Sequence, residues 1–146
     1  MCVAGNPDID DDALASNVTL APLHIAADIV RIDAVSNELS PRYRASLPQL
    51  EWCEANGVAF MAWRPFGGLA PAERSRNAPF HDMAVARGIS PHRLAAARLL
   101  HKAPNVTVLA GATRPETIRD SLAAASVILS EDDIAMLDRT LPLNRP

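Results

Sequence analysis

Short apolar runs separated by helical segments limit what this chain can become. Arg31–Val35 (RIDAV) reads as a strand, and Val58–Trp63 (VAFMAW) and Val106–Ala110 (VTVLA) are continuous apolar runs of strand length. Such runs suit strands covered on both faces. Helical patterns fill the intervals. Thr19 stands as a cap before a short helix to about Ala27, with Leu20, Leu23 and Ala27 on one side. Pro48–Asn56 is followed by Gly57, with Leu47, Leu50 and Cys53 as its buried side, and Phe80–Arg87 stops at Gly88. Ser90-Pro91 opens a helix through about Lys102, which Pro104 ends. Glu116–Ala125 forms another, and Ser130 begins the last, with Asp133 in the place of a capping-box acid. Buried strands alternating with amphipathic helices predict an α/β fold with a parallel sheet of βα units.

Composition narrows the function classes. A length of 146 residues suits one domain, and 49% hydrophobic with 21% charged residues is the balance of a globular protein. The net charge of -3 gives no reason to expect nucleic acid or an anionic membrane as partner. Cys2 and Cys53 make neither a disulfide framework nor a metal site, and His24, His81, His92 and His101 lack ligand spacing. The acidic run Asp8, Asp10, Asp11, Asp12 fails the calcium-loop template, because Ala13 and Thr19 stand where glycine and glutamate are needed. No export signal or long apolar span is seen, so a cytoplasmic location is expected.

In parallel α/β proteins chemistry gathers at the C-terminal ends of the strands. Ser36-Asn37-Glu38, Trp63 through Gly68, and Gly111 through Arg114 fall there. Gly111-Ala112-Thr113-Arg114-Pro115-Glu116 joins a strand to a helix. Its small residues admit close backbone approach, amides at the helix start attract anions, and Arg114 offers a fork suited to phosphate. The same stretch also reads as an ordinary βα turn with a surface arginine. Trp63 suits either ring stacking or core packing.

From Ala15 to about Leu141 the order and spacing resemble the second half of an aldo-keto reductase. Ala15-Ser16-Asn17-Val18 is similar to the family's segment after the fifth strand, and Val35-Ser36-Asn37-Glu38 to that after the sixth. Ala62-Trp63-Arg64-Pro65-Phe66-Gly67-Gly68 resembles the segment after the seventh, where an aromatic ring stacks on the nicotinamide. Leu109-Ala110-Gly111-Ala112-Thr113-Arg114 resembles its phosphate-binding turn, and Leu129-Ser130-Glu131-Asp132 the start of its final helix.

The resemblance implies a partial (β/α)8 barrel, about the last three βα units plus a C-terminal helix. Residues 1–14 would be an irregular lead-in and 142–146 a tail. It also implies an NADP(H)-dependent carbonyl reductase site. Its cofactor-binding residues would be Ser16, Asn17, Ser36, Trp63, Pro65, Phe66, Gly67, Gly111, Ala112, Thr113, Arg114, Asp120 and Ser121. Ser36 and Ser121 depart from the family's glutamine and asparagine, Arg64 from its serine and Arg98 from its tryptophan. The catalytic tyrosine and its aspartate, lysine and histidine partners belong to the first half, and Tyr43 does not match that motif. The alternatives are a silent nucleotide-binding or interaction module, or a truncated remnant. A part barrel leaves strand edges open, so a homo-oligomer or a complementary half-barrel chain is expected as partner.

Overall fold

A computed structural model describes residues 13–67, 69 and 77–139 of the chain. Four strands form one parallel sheet in sequential order: β1 (Ala13–Ser16), β2 (Ile32–Glu38), β3 (Ala59–Trp63) and β4 (Val106–Val108). The helices α1 (Leu20–Ala27), α2 (Leu47–Asn56), α3 (Ala78–Arg87), α4 (Pro91–Leu100), α5 (Pro115–Leu122) and α6 (Glu131–Asp138) alternate with or follow them. A short 3-10 turn, Ala123–Ser126, extends α5. Among the described residues no helix is long and apolar enough to cross a membrane.

The sheet has two unlike faces, because side chains alternate along each strand. On one face Ala15, Val35, Phe60 and Val106 lie side by side, followed by Asn37, Ala62 and Val108. This face meets Leu23 and Ala26 of α1 and Leu50 and Cys53 of α2 in a closed core. On the other face Leu14, Ala34 and Ala59 form a row, then Ser16, Ser36, Met61 and Thr107, then Glu38 and Trp63. A second core joins α3, α4 and α6 through Phe80, Met83, Leu94, Ala97 and Leu137.

Several expectations need correction. The chain forms four strands rather than about three, because Ala13 and Leu14, expected in the lead-in, pair with Ile32 and Ala34. Alanine is a weak strand former, but pairing and burial under α1 outweigh propensity. β2 runs on through Ser36–Glu38, expected as a polar stretch ending the strand. The β3 run is not covered on both faces: Ala59 is exposed and Met61 and Trp63 are half-buried. Its apolar character belongs to a barrel strand whose inner side faces the lumen. The helix after Ser90 ends at Leu100, and Leu23 and Ala26 are the buried residues of α1.

Local chemistry explains the helix ends. Gly57 and Gly88 adopt φ of 67° and 61°, the left-handed conformation that closes α2 and α3. Ser90 Oγ accepts the Arg93 N–H ahead of Pro91, as the spacing predicts. At α6 the capping box forms with aspartate in the glutamate place: Ser130 Oγ accepts from Asp133 N–H, and the Asp133 carboxylate accepts from Ser130 N–H at 2.8 Å. Thr19 precedes α1 without a side-chain cap bond. The acidic run at Asp8–Asp12 and the tail at 142–146 lie outside the described residues.

Candidate functional site

The parallel sheet brings the C-terminal ends of all four strands to one edge, where Ser16-Asn17, Ser36–Glu38, Trp63–Gly67 and Leu109–Arg114 end the strands or follow them. Ser16 pairs with Ser36, and Ser16 Oγ donates to the Ser36 carbonyl at 3.3 Å. The Asn17 N–H donates to that carbonyl at 3.0 Å, and Asn17 holds φ at 52°, a conformation asparagine tolerates. Ser16 and Ser36 therefore stand next to each other on the inner face.

Asn37 fixes this corner from behind. It is 4% exposed, its Oδ1 accepts the Val18 N–H at 3.0 Å, and its Nδ2 donates to the Val18 carbonyl at 2.7 Å. Gln49 Nε2 adds a bond to the same carbonyl at 3.2 Å. The side chain replaces a missing ladder partner, satisfying backbone groups that would otherwise be costly to bury. The sequence placed Asn37 in a strand-end segment without giving it a role, and the structure makes it a brace for the Val18 backbone.

Trp63 is half-buried on the inner face beside Glu38. Arg64 then turns left-handed, with φ at 48°, and its guanidinium lies 3.5 Å from the Glu38 carboxylate and 5.9 Å from the Tyr43 ring centre. Positive φ in a non-glycine residue carries strain of about 1 kcal/mol, and the two such residues among those described, Asn17 and Arg64, flank this edge. Gly67 is required by close approach: a Cβ there would lie 2.8 Å from the Tyr43 ring and 2.9 Å from Ser40 Oγ. Pro65 is buried, and the Phe66 ring meets His92 edge-on at 5.1 Å, tying the loop to α4.

After β4 the turn is open. Gly111, Thr113 and Arg114 are exposed, Ala112 is half-buried, and a Cβ on Gly111 would meet nothing within 4 Å. Arg114 occupies the N-cap of α5 without a side-chain cap bond, and its guanidinium has no ion-pair partner among the described residues. Pro115 brings no N–H to the start of α5 and the Thr117 N–H is bonded to the Arg114 carbonyl at 3.1 Å, so the exposed features of this turn are its small residues and the Arg114 charge.

Asp120 and Ser121 lie further along α5. The Asp120 carboxylate binds Arg93 at 2.6 Å and also accepts from Ser90 Oγ, so it ties α5 to the N-terminus of α4. Ser121 borders a groove of about 350 Å³ with Val106, Val108, Ile118 and Leu122. Arg98 sits away from the strand ends: 5% exposed, it grips Asp138 of α6 through two bonds of 3.1 and 2.6 Å. Lys102 approaches the same carboxylate at 3.5 Å, and Arg44 donates to the Asp138 carbonyl at 3.1 Å. Burial alone would raise the Asp138 carboxyl, but the Arg98 hydrogen bonds and the charges of Arg98, Lys102 and Arg44 outweigh it and hold it low. Burial pushes the Cys53 thiol up to about 11, which leaves it inert at neutral pH.

A parallel sheet with helices over one face and its loops gathered at the strand ends defines an α/β fold of the half-barrel kind. Residues 15–142 match the aldo/keto reductase family, and the chain belongs to that family. Pyridoxine 4-dehydrogenase of Escherichia coli is 31% identical over 123 residues, covering 84% of this chain and 42% of that protein. An uncharacterized oxidoreductase of Schizosaccharomyces pombe is 26% identical, with 84% and 40% covered. The chain thus spans less than half the length of the curated relatives it matches. Among solved structures, the thermostable aldo-keto reductase Tm1743 superposes with a TM-score of 0.76 at 27% identity, covering 84% of this chain and 46% of that one. The aldo-keto reductase of Klebsiella pneumoniae in complex with NADPH shares the fold at a TM-score of 0.77 and 22% identity, with 89% and 48% covered. That coverage fits a partial (β/α)8 barrel.

Proposed function

We propose that the four strand ends form the cofactor side of an NADP(H)-dependent carbonyl reductase site. The observation that carries this reading is the open turn at Gly111–Arg114, where free space over Gly111 and an exposed guanidinium without an ion-pair partner among the described residues coincide. A phosphate group has the charge and the lone pairs that such a turn lacks. In support, a relative of the same fold was solved with NADPH.

Each candidate residue takes a place along an extended dinucleotide. Ser16, Asn17 and Ser36 would hold the nicotinamide carboxamide, and Trp63 would stack on the ring. Pro65, Phe66 and Gly67 shape the loop beside the pyrophosphate. Gly111, Ala112 and Thr113 would present backbone to phosphate, with Arg114 on the 2′-phosphate. Asp120, turned toward Arg93 and Ser90, and Ser121 lie on the adenosine side. When bound, the reduced nicotinamide supplies the hydride. The chain's own part is to orient the ring and exclude water from one face of it. Carbonyl reduction also needs an acid at the developing alkoxide. Tyr43 packs its ring against Gly67 and beneath Arg64, and in this reading the acid comes from another part of the barrel. By itself the chain is therefore expected to bind cofactor without turnover. A cytoplasmic setting, where free thiols such as Cys53 stay reduced, suits this reading.

Titration with NADPH and NADH, followed by tryptophan fluorescence, tests it. Arg114→Ala should weaken NADPH about tenfold or more while changing NADH little, because a charge-assisted bond to phosphate contributes about 1.5–3 kcal/mol. A folded chain that binds neither nucleotide would leave the interaction-module reading in its place.

A further inference from the structure

The helical layer holds a cluster of charges that does not balance. Arg98 stands near the end of α4, Lys102 just past it, Arg44 in the loop between β2 and α2, and Asp138 at the end of α6. Three cations therefore gather around one carboxylate. Arg98 takes most of it, through two hydrogen bonds of 3.1 and 2.6 Å. The Lys102 ammonium has three donors to place, and its partner among the described residues is the same carboxylate at 3.5 Å.

The surplus acts on the cluster itself. Burial, and then the Arg98 charge, hold the Lys102 ammonium below its ordinary value, and Asp138 does not offset them. Burial lowers Arg44 as well, despite Asp138. Arg42, in the same loop as Arg44, is 3% exposed, and its Nε and Nη1 have no hydrogen-bond partner. Buried cations in excess are costly, and a bound counter-ion would offset that cost.

Between these groups lies a cavity with about 10 Å³ of free space, enough for the centre of one water-sized occupant. Arg44, Arg98, Lys102 and Asp138 border it, with Ser40 and otherwise apolar side chains. Its walls come from the β2–α2 loop, α2, α3, α4 and α6, so the cavity is enclosed by described residues and depends on neither edge of the sheet.

We infer that this cavity binds one small monovalent anion of about the size of chloride, held by the charges of Lys102, Arg98 and Arg44. Its size excludes phosphate and sulfate, which need several times the room. A water molecule would fit, but it would leave the surplus charge in place. The inference stands apart from nucleotide binding, because none of these residues belongs to the proposed cofactor site.

Thermal unfolding in potassium chloride and in potassium gluconate at matched ionic strength tests it, since gluconate is too large to enter. Chloride should raise the melting temperature saturably, by about 3 °C or more over gluconate. Lys102→Met, which keeps the length of the side chain and removes its charge, should lose most of that increment with unchanged circular dichroism. In direct titration, the wild type should broaden the ³⁵Cl resonance of chloride more than Lys102→Met does. Equal melting in the two salts would overturn the inference. So would an increment that Lys102→Met keeps, or equal broadening by the two proteins.

Discussion

The corner between β1 and β2 and the unit formed by β4 and α5 are built from the same βα plan and end in opposite conditions. At the first, Asn37 satisfies both backbone groups of Val18, and Leu23 and Val35 are fully buried. At the second, β4 is three residues long, α5 buries no residue, and Leu122 is 71% exposed. The difference lies in the neighbours. In a barrel the core of each unit is completed by the next strand, so a unit's sequence can be well formed while its stability resides elsewhere. The open turn at Gly111–Arg114 lies in the second region, where exposed backbone and low burial leave groups free for a ligand.

Three perturbations sharpen that contrast. Asn37→Ala should destabilise the chain most, by about 2–3 kcal/mol in urea unfolding, because it strands the buried Val18 N–H and leaves the Val18 carbonyl to Gln49 alone. A cost under half a kilocalorie would show that the corner is not the locked region described. The tie between α4 and α6 comes next. Asp138→Ala should cost about 2 kcal/mol, since it leaves the Arg98 guanidinium buried without its partner. The folded-state value of Asp138 is depressed, so its contribution is present above the unfolded carboxylate value and is lost as pH falls through the folded one. The melting temperature of the wild type should therefore fall on acidification below the ordinary carboxylate range, and that fall should shrink in Asp138→Asn. The smallest effect belongs to the second region. Leu122→Ala should change the unfolding free energy of the separated chain by no more than about 0.5 kcal/mol, as for other exposed positions.

Much of this contrast was legible in the sequence, and the exceptions have physical causes. The helix stops at Gly57 and Gly88, the Ser90-Pro91 start and the Ser130 cap depend on local backbone chemistry, and each formed where the residues placed it. β1 was hidden because Ala13, Leu14 and Ala15 carry no strand propensity of their own and are held by pairing with β2. Ser36–Glu38 looked like a loop because its polar residues belong to an alternating strand, with Asn37 turned to the helices and Ser36 to the lumen. At the site, the sequence indicated the loops that reach the strand ends. It could not indicate that Asp120 is engaged by Arg93 and Ser90, or that Arg98 binds Asp138 in the helical layer, because both pairings join residues distant in the chain. The resemblance marked Arg98 as a departure from the family's tryptophan; its observed partner makes it a fastening for α6.

Amide hydrogen exchange with and without NADPH tests the central claim most directly, that four separate segments make one nucleotide site. The account predicts new protection at Ser16-Asn17, Ser36, Trp63–Gly67 and Gly111–Arg114 together, with Leu20–Ala27 of α1 unchanged. Protection confined to one of these segments, or none in a chain that is otherwise folded, would contradict it.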